Sequence, residues 1–226
     1  MLYRILTSNS MSLTQSIKYI LVILFSVLLS LSIHEAGHGL AAYLMGDKTA
    51  KSSGRLSLNP FAHLDIFGTL CLLLFGFGWA RPVPVNPWNF KRKRLGMAIT
   101  SLAGPLANFI LAFIATFLYC FIGKISLSSG TISYRIAYAI FITCECLITT
   151  NIGLGLFNLI PIPPLDGSKI LGSFLPESAY FKLLKYERYG FIVLIILINI
   201  PIFSRFLSFI STSILSGFIN LASYVF

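Results

Sequence analysis

Apolar residues form five long stretches along the chain, and polar or charged residues gather between them. The first stretch runs from about Tyr19 to Met45 and the second from Ile66 to Ala80. The third runs from Leu95 to Ile122 and the fourth from Ile132 to Ile160. The fifth, Tyr189 to Phe226, is interrupted by Pro201 and Arg205, which predicts two helices folded back on each other. A helix needs roughly 20 apolar residues to cross the hydrocarbon of a bilayer, and the second stretch is too short. It also contains Gly68, Gly76 and Gly78, and basic residues flank both of its ends: Lys48, Lys51 and Arg55 before, Arg81 and Lys91 to Arg94 after. A true span would separate those two groups, so the pattern predicts a re-entrant or interfacial segment that enters and leaves on one side. Irregular backbone of that kind survives at membrane depth only against protein or a wet cavity.

Composition agrees with this pattern. Of 226 residues, 56% are apolar and 11% charged, where a soluble domain carries about a quarter charged. That excludes a disordered chain, a secreted disulfide mini-protein and an ordinary cytosolic enzyme. The expected fold is an all-α polytopic membrane protein of about five transmembrane helices, with a three-helix core and the short re-entrant segment, extended or β in form. A single unit, 1–226, is expected, with its core at 17–170 and a C-terminal helical region at 171–226. The first stretch runs through a charged motif without a small-residue cleavage pattern, so it reads as a span and not a removable signal. Cys71, Cys120, Cys144 and Cys146 all lie inside apolar runs and read as small buried hydrophobes.

The formal net charge of +10 would suit nucleic acid, but its distribution gives it another meaning. Lys48, Lys51, Arg55, Arg81, Lys91, Arg92, Lys93, Arg94, Lys169, Lys182, Lys185 and Arg188 fall on the side reached after the first helix. Arg4, Lys18, Lys124, Arg135 and Arg205 fall on the other. The positive-inside rule makes the first side cytoplasmic and the N-terminus extracytoplasmic, and no nucleic-acid partner is needed.

The chemistry lies in the first helix, which carries His34-Glu35-Ala36-Gly37-His38. Residues four apart share a helix face, so both imidazoles can reach one metal ion. Glu35 then projects toward a water at an open coordination position, the HExxH arrangement of zinc hydrolases. Each ionisable group inside a span costs about 2.5–3.5 kcal/mol on insertion scales, so three of them are not neutral packing. Such sites take a third protein ligand, and His63, Asp65, Glu145, Asp166 and, weakly, Cys144 or Cys146 are the candidates. Depth favours Asp166. His34 and His38 fall in the cytoplasmic half of their helix, and the fourth stretch reaches that half near Asn158, just before Asp166 in "NLIPIPPLDGS". Pro161, Pro163 and Pro164 break the helix there and let the Leu165-Asp166-Gly167 corner face inward. Glu145 lies nearer the outer half, and His63 lies in a polar loop.

With "HEAGH" in one helix, "AGPLANF" in the next and "NLIPIPPLDG" closing a third, the chain resembles the site-2 protease family of intramembrane zinc metalloproteases. The resemblance covers roughly Ser32 to Lys169. The segment "GRLSLNPFAHLD…GWARPVPVNP" also resembles the loop of small bacterial members without a PDZ domain. The resemblance implies one Zn²⁺ held by His34, His38 and Asp166, Glu35 as catalytic base, and Asn158 as a contact to the substrate carbonyl or oxyanion. It makes 66–80 a re-entrant β-element whose edge holds an unwound transmembrane substrate. Gly104, Pro105 and Asn108 match a GxxxN pattern, with Asn108 as a secondary site residue. The implied activity is hydrolysis of peptide bonds in transmembrane proteins at the cell membrane, with the site toward the cytoplasm. A membrane metal-ion transporter and a catalytically silent chaperone on the same scaffold are the alternatives. The chain shows no clear internal repeat, and a binding-only protein has no use for Glu35.

Overall fold

The computed structural model describes residues 12–63, 65, 67–68, 81–129, 134–176, 178–179 and 187–225. Among these the elements are helical, with no strand. Helix α1 spans Leu13–Leu44. Two short helices follow, α2 Thr49–Ser52 and α3 Pro60–His63, and a 3-10 turn occupies Pro87–Asn89. The long helices α4 Lys93–Ser129 and α5 Tyr134–Asn158 come next. The order closes with α6 Asp166–Phe174, α7 Glu187–Asn199 and α8 Pro201–Val225.

Among the described residues four helices, α1, α4, α5 and α8, are long and apolar enough to cross a membrane. The molecule is a multi-pass, all-α membrane protein, as the apolar stretches indicate. The fifth stretch does divide at Pro201 into α7 and α8. Of the 66–80 segment expected to re-enter the membrane, only 67–68 are described, so that expectation lies outside the described residues.

The first helix starts six residues earlier than its apolar run suggests. Ser12 accepts from Gln15 N–H and the Gln15 side chain accepts from Ser12 N–H, so a reciprocal capping box starts the helix in polar sequence. The helix is therefore about 48 Å long at 1.5 Å per residue, and His34 and His38 lie in its C-terminal third.

Helix α4 is central and packs against α1, α5, α6 and α8. Its contact with α5 is an apolar cluster of Ala112, Ala115, Cys144, Ile148 and Ile152, onto which α8 lays Ile214, Leu215 and Phe218. Small residues at such a crossing let helices approach closely, since in lipid it is packing and not hydrophobic exclusion that joins them. Cys144 and Cys146 are buried free thiols within this architecture.

Candidate metal centre

His34 and His38 sit one turn apart on α1 and point at α4. Their rings meet edge to face with centroids 4.5 Å apart. The backbone of α4 must come very close to accommodate them. A Cβ built on Gly104 would lie 2.5 Å from both Cε1 and Nε2 of His38 and 2.8 Å from Cε1 of His34, so only glycine fits. Next in sequence is Pro105, inside α4. A proline removes one i→i−4 bond and crowds the carbonyl four residues back, which loosens the preceding turn. A carbonyl of that turn, Thr100 O, accepts from His38 Nδ1 at 2.7 Å.

Asp166 arrives from the other side. After α5 ends at Asn158 the chain turns through the proline-rich segment, and extended Leu165 (φ −68°, ψ 156°) starts α6. Asp166 is therefore the first residue of a helix and not part of an irregular corner, because Leu165 takes the non-helical N-cap geometry. Gly167 makes the turn feasible, since a Cβ there would meet Leu159 O at 2.3 Å and Ile160 O at 2.5 Å.

These elements bring together His34 Nε2, His38 Nε2 and Asp166 Oδ2. The two nitrogens are 3.0 Å apart, and each lies 3.1 Å from the carboxylate oxygen. All three residues are buried, and among the described residues they form a group able to hold one metal ion. The protonation pattern shows what belongs between them. His34 Nδ1 faces Asn108 Oδ1 at 2.6 Å, and the Asn108 amide is oriented by donating to Ser30 O at 3.1 Å and Asn151 Oδ1 at 2.7 Å. His38 Nδ1 faces a carbonyl. Both imidazoles therefore hold a proton on Nδ1, and in the neutral ring that leaves the Nε2 lone pair facing the carboxylate. A cation placed among the three would be met by two ring nitrogens and a carboxylate oxygen. Two nitrogens and a carboxylate oxygen are a donor set suited to zinc.

Lys169 Nζ lies 3.3 Å from the other oxygen, Asp166 Oδ1. Glu35 is half-buried, and its Oε2 accepts from Val83 N–H at 2.8 Å.

The other candidates are elsewhere. Asn158 is half-buried, and its amide donates to Leu154 O in its own helix at 3.0 Å. Glu145 is exposed on α5. His63 is buried in α3 with Nε2 on Ser57 O, and Asp65 accepts from Gly68 N–H. Asn108 proves to be bonded directly to His34. Sequence reasoning missed Asn151, Ser30, Lys169 and Val83. The signal for the first two was present: an amide and a hydroxyl inside apolar helices must find partners, and Ser30 stands one turn before His34.

The chain matches the description "Peptidase family M50" over residues 22–145 and 122–200. It is 42% identical over 183 residues to "Putative zinc metalloprotease YwhC" of Bacillus subtilis, covering 80% of this chain and 81% of that protein. It is 30% identical over 186 residues to "Putative zinc metalloprotease Rip2" of Mycolicibacterium smegmatis, covering 79% of this chain and 66% of that protein. No solved structure matches. With the HEAGH and LDG segments converging in space as the resemblance implies, the chain belongs to peptidase family M50, the site-2 protease family of metalloproteases.

Proposed function

We propose that this chain is an intramembrane zinc metalloprotease that cleaves transmembrane proteins, with His34, His38 and Asp166 as the zinc ligands and Glu35 as general base. The observation that carries the reading is the convergence of His34 Nε2, His38 Nε2 and Asp166 Oδ2 to within 3.1 Å of one another, next to a carboxylate on the same helix. The chemistry a bound zinc supplies is Lewis acidity, toward the scissile carbonyl and toward the attacking water. Glu35 takes the proton as the water oxygen bonds to the carbonyl carbon. It delivers that proton to the amide nitrogen as the C–N bond breaks. Asn158 supplies a side-chain donor to the carbonyl oxygen where negative charge develops, using the amide proton that does not engage Leu154 O.

The bilayer reading extends to orientation. Basic residues cluster beyond the C-terminal end of α1, near which the site lies, so the positive-inside rule puts the site toward the cytoplasm of the cell membrane and the N-terminus outside. Residues 17–170 carry the site, and 171–226 form a helical extension of one membrane-embedded unit.

Glu35→Gln tests the mechanism: zinc content stays near that of the unsubstituted protein while cleavage of a model transmembrane substrate is abolished. Full cleavage by that variant refutes it. Zinc flux through liposomes without any proteolysis refutes the protease reading in favour of a transporter.

A further inference from the structure

The polar residues of α1, α4 and α5 form one continuous line that ends on His34. Ser30, Asn108 and Asn151 are each 0% exposed, so every hydrogen bond among them must be satisfied internally. His34 Nδ1–H donates to Asn108 Oδ1 at 2.6 Å. Asn108 Nδ2 donates to Asn151 Oδ1 at 2.7 Å. Asn151 Nδ2 donates to Ser30 Oγ at 2.7 Å, and Ser30 Oγ–H donates to Ser26 O at 2.6 Å.

The line has only one possible direction. Ser26 O is a backbone carbonyl and accepts only, so the Ser30 hydroxyl must donate to it and use a lone pair toward Asn151. Asn151 is pinned a second time by donating to Leu147 O at 2.8 Å, another obligatory acceptor. Its amide therefore cannot flip, and its oxygen must face Asn108. Asn108 Nδ2 in turn donates to Ser30 O at 3.1 Å as well as to Asn151 Oδ1. Turning the amide would set its oxygen against both of these acceptors in a buried site. Fixed carbonyls on α1 and α5 thus decide, through two amides, which nitrogen of His34 carries the proton.

We infer that Asn151 is a positioning residue for the metal centre: by orienting Asn108 it holds His34 in the tautomer whose Nε2 lone pair faces His38 and Asp166. This rests on the reading of His34 as a zinc ligand. Groups that fix a ligand histidine from behind typically matter by 10–100-fold in metal affinity, and Asn151 acts one bond further back.

The test uses the full chain purified in detergent, with zinc affinity measured by competition against a chromophoric chelator and the visible spectrum recorded after cobalt substitution. Asn151→Leu, nearly isosteric but without the acceptor, lowers zinc affinity roughly tenfold and alters the cobalt bands. Adding Asn108→Asp restores most of the affinity, because the carboxyl presents an oxygen to His34 whichever way it turns while its other oxygen, carrying a proton, donates to Ser30 O. A role in packing alone would not be rescued this way. Asn151→Leu binding zinc like the unsubstituted protein, or a loss that Asn108→Asp fails to recover, overturns the inference. If Asn151→Leu does not yield folded protein, Asn151→Ala carries the same comparison with the same two outcomes. His34→Ala separates the two claims. Zinc lost in His34→Ala but unchanged in Asn151→Leu defeats this inference alone, whereas zinc retained in His34→Ala defeats the ligand assignment beneath it.

Discussion

Val83 donates its backbone N–H to Glu35 Oε2 at 2.8 Å, across 48 residues of sequence. The donor belongs to an extended strap, Arg81 to Asn86, pinned at one end by Arg81 N–H on His63 O (2.9 Å) and at the other by Asn86 N–H on Asp47 Oδ2 (2.7 Å). Val83 is buried between exposed Pro82 and Pro84. The strap therefore crosses the helix that carries HEAGH and holds the carboxylate proposed as general base in one rotamer.

Replacing Val83 by proline deletes that N–H in a segment whose neighbours are already prolines. A hydrogen bond to a charged group contributes about 1.5–3 kcal/mol, and each 1.36 kcal/mol is tenfold in rate. With part of that spent on orientation, kcat for a transmembrane substrate falls roughly tenfold while zinc stays bound. Val83→Ala, which keeps the N–H, leaves kcat close to that of the unsubstituted protein. A Val83→Pro enzyme as fast or faster would mean the contact only shields Glu35.

Gly104→Ala should be far more damaging than its size suggests. Alanine favours a helix over glycine, so α4 itself tolerates the change. The new methyl, however, overlaps both imidazoles, and it is the histidines that must move. The expected result is unchanged helical circular dichroism with zinc content reduced by about tenfold or more, comparable to losing a group that orients a ligand. Normal zinc binding would show that α1 and α4 can separate without cost.

What the sequence reveals follows from how far apart the cooperating residues are. His34 and His38 announce themselves because four residues of helix is a fixed distance, and Asp166 could be selected because proline-broken backbone on the correct side of the membrane is rare. The start of α1 was hidden because Ser12 and Gln15 are polar and lie outside the apolar run. Asn151 and Val83 were hidden for another reason. They reach Asn108 and Glu35 only where helices cross or a strap returns, and no periodicity within one element encodes that. Asn158, placed by resemblance, has its amide on Leu154 O in this structure.

Lys169 and Asp166 separate a ligand from its support. The side chain of Lys169 is 43% exposed, and its ammonium engages only Oδ1, the oxygen turned away from the histidines. Solvent screening reduces such a pair to about 0.2–1 kcal/mol. Lys169→Met therefore weakens zinc binding by only about two- to fivefold, and less at high salt. Asp166→Ala removes a proposed ligand and abolishes stable zinc binding. Chelator competition on the two variants measures both, and equal losses would contradict the division of roles.

Asp47 governs the strap from a distance, and its effect depends on pH. It is 0% exposed. It accepts from Thr49 N–H (3.1 Å), Thr49 Oγ1 (2.5 Å), Asn86 N–H (2.7 Å) and Asn89 Nδ2 (2.7 Å). Burial by itself would raise its pKa, but the bonds from Thr49, Asn89 and Asn86 outweigh that and lower it below the ordinary 3.8. A depressed carboxylate stabilises the fold fully above its unfolded value and loses that contribution as pH falls through the folded value. Thermal stability should thus be flat in this respect from pH 5 to 8 and fall below about pH 4. Asp47→Asn turns an acceptor-only group into one whose NH2 faces other donors, which costs about 1–3 kcal/mol at neutral pH. It should also remove part of the acid sensitivity. Because Asn86 and Val83 share the strap, Asp47→Asn should speed amide exchange at Val83 and lower kcat with it. Faster exchange with undiminished cleavage would show that the strap can loosen without disturbing Glu35.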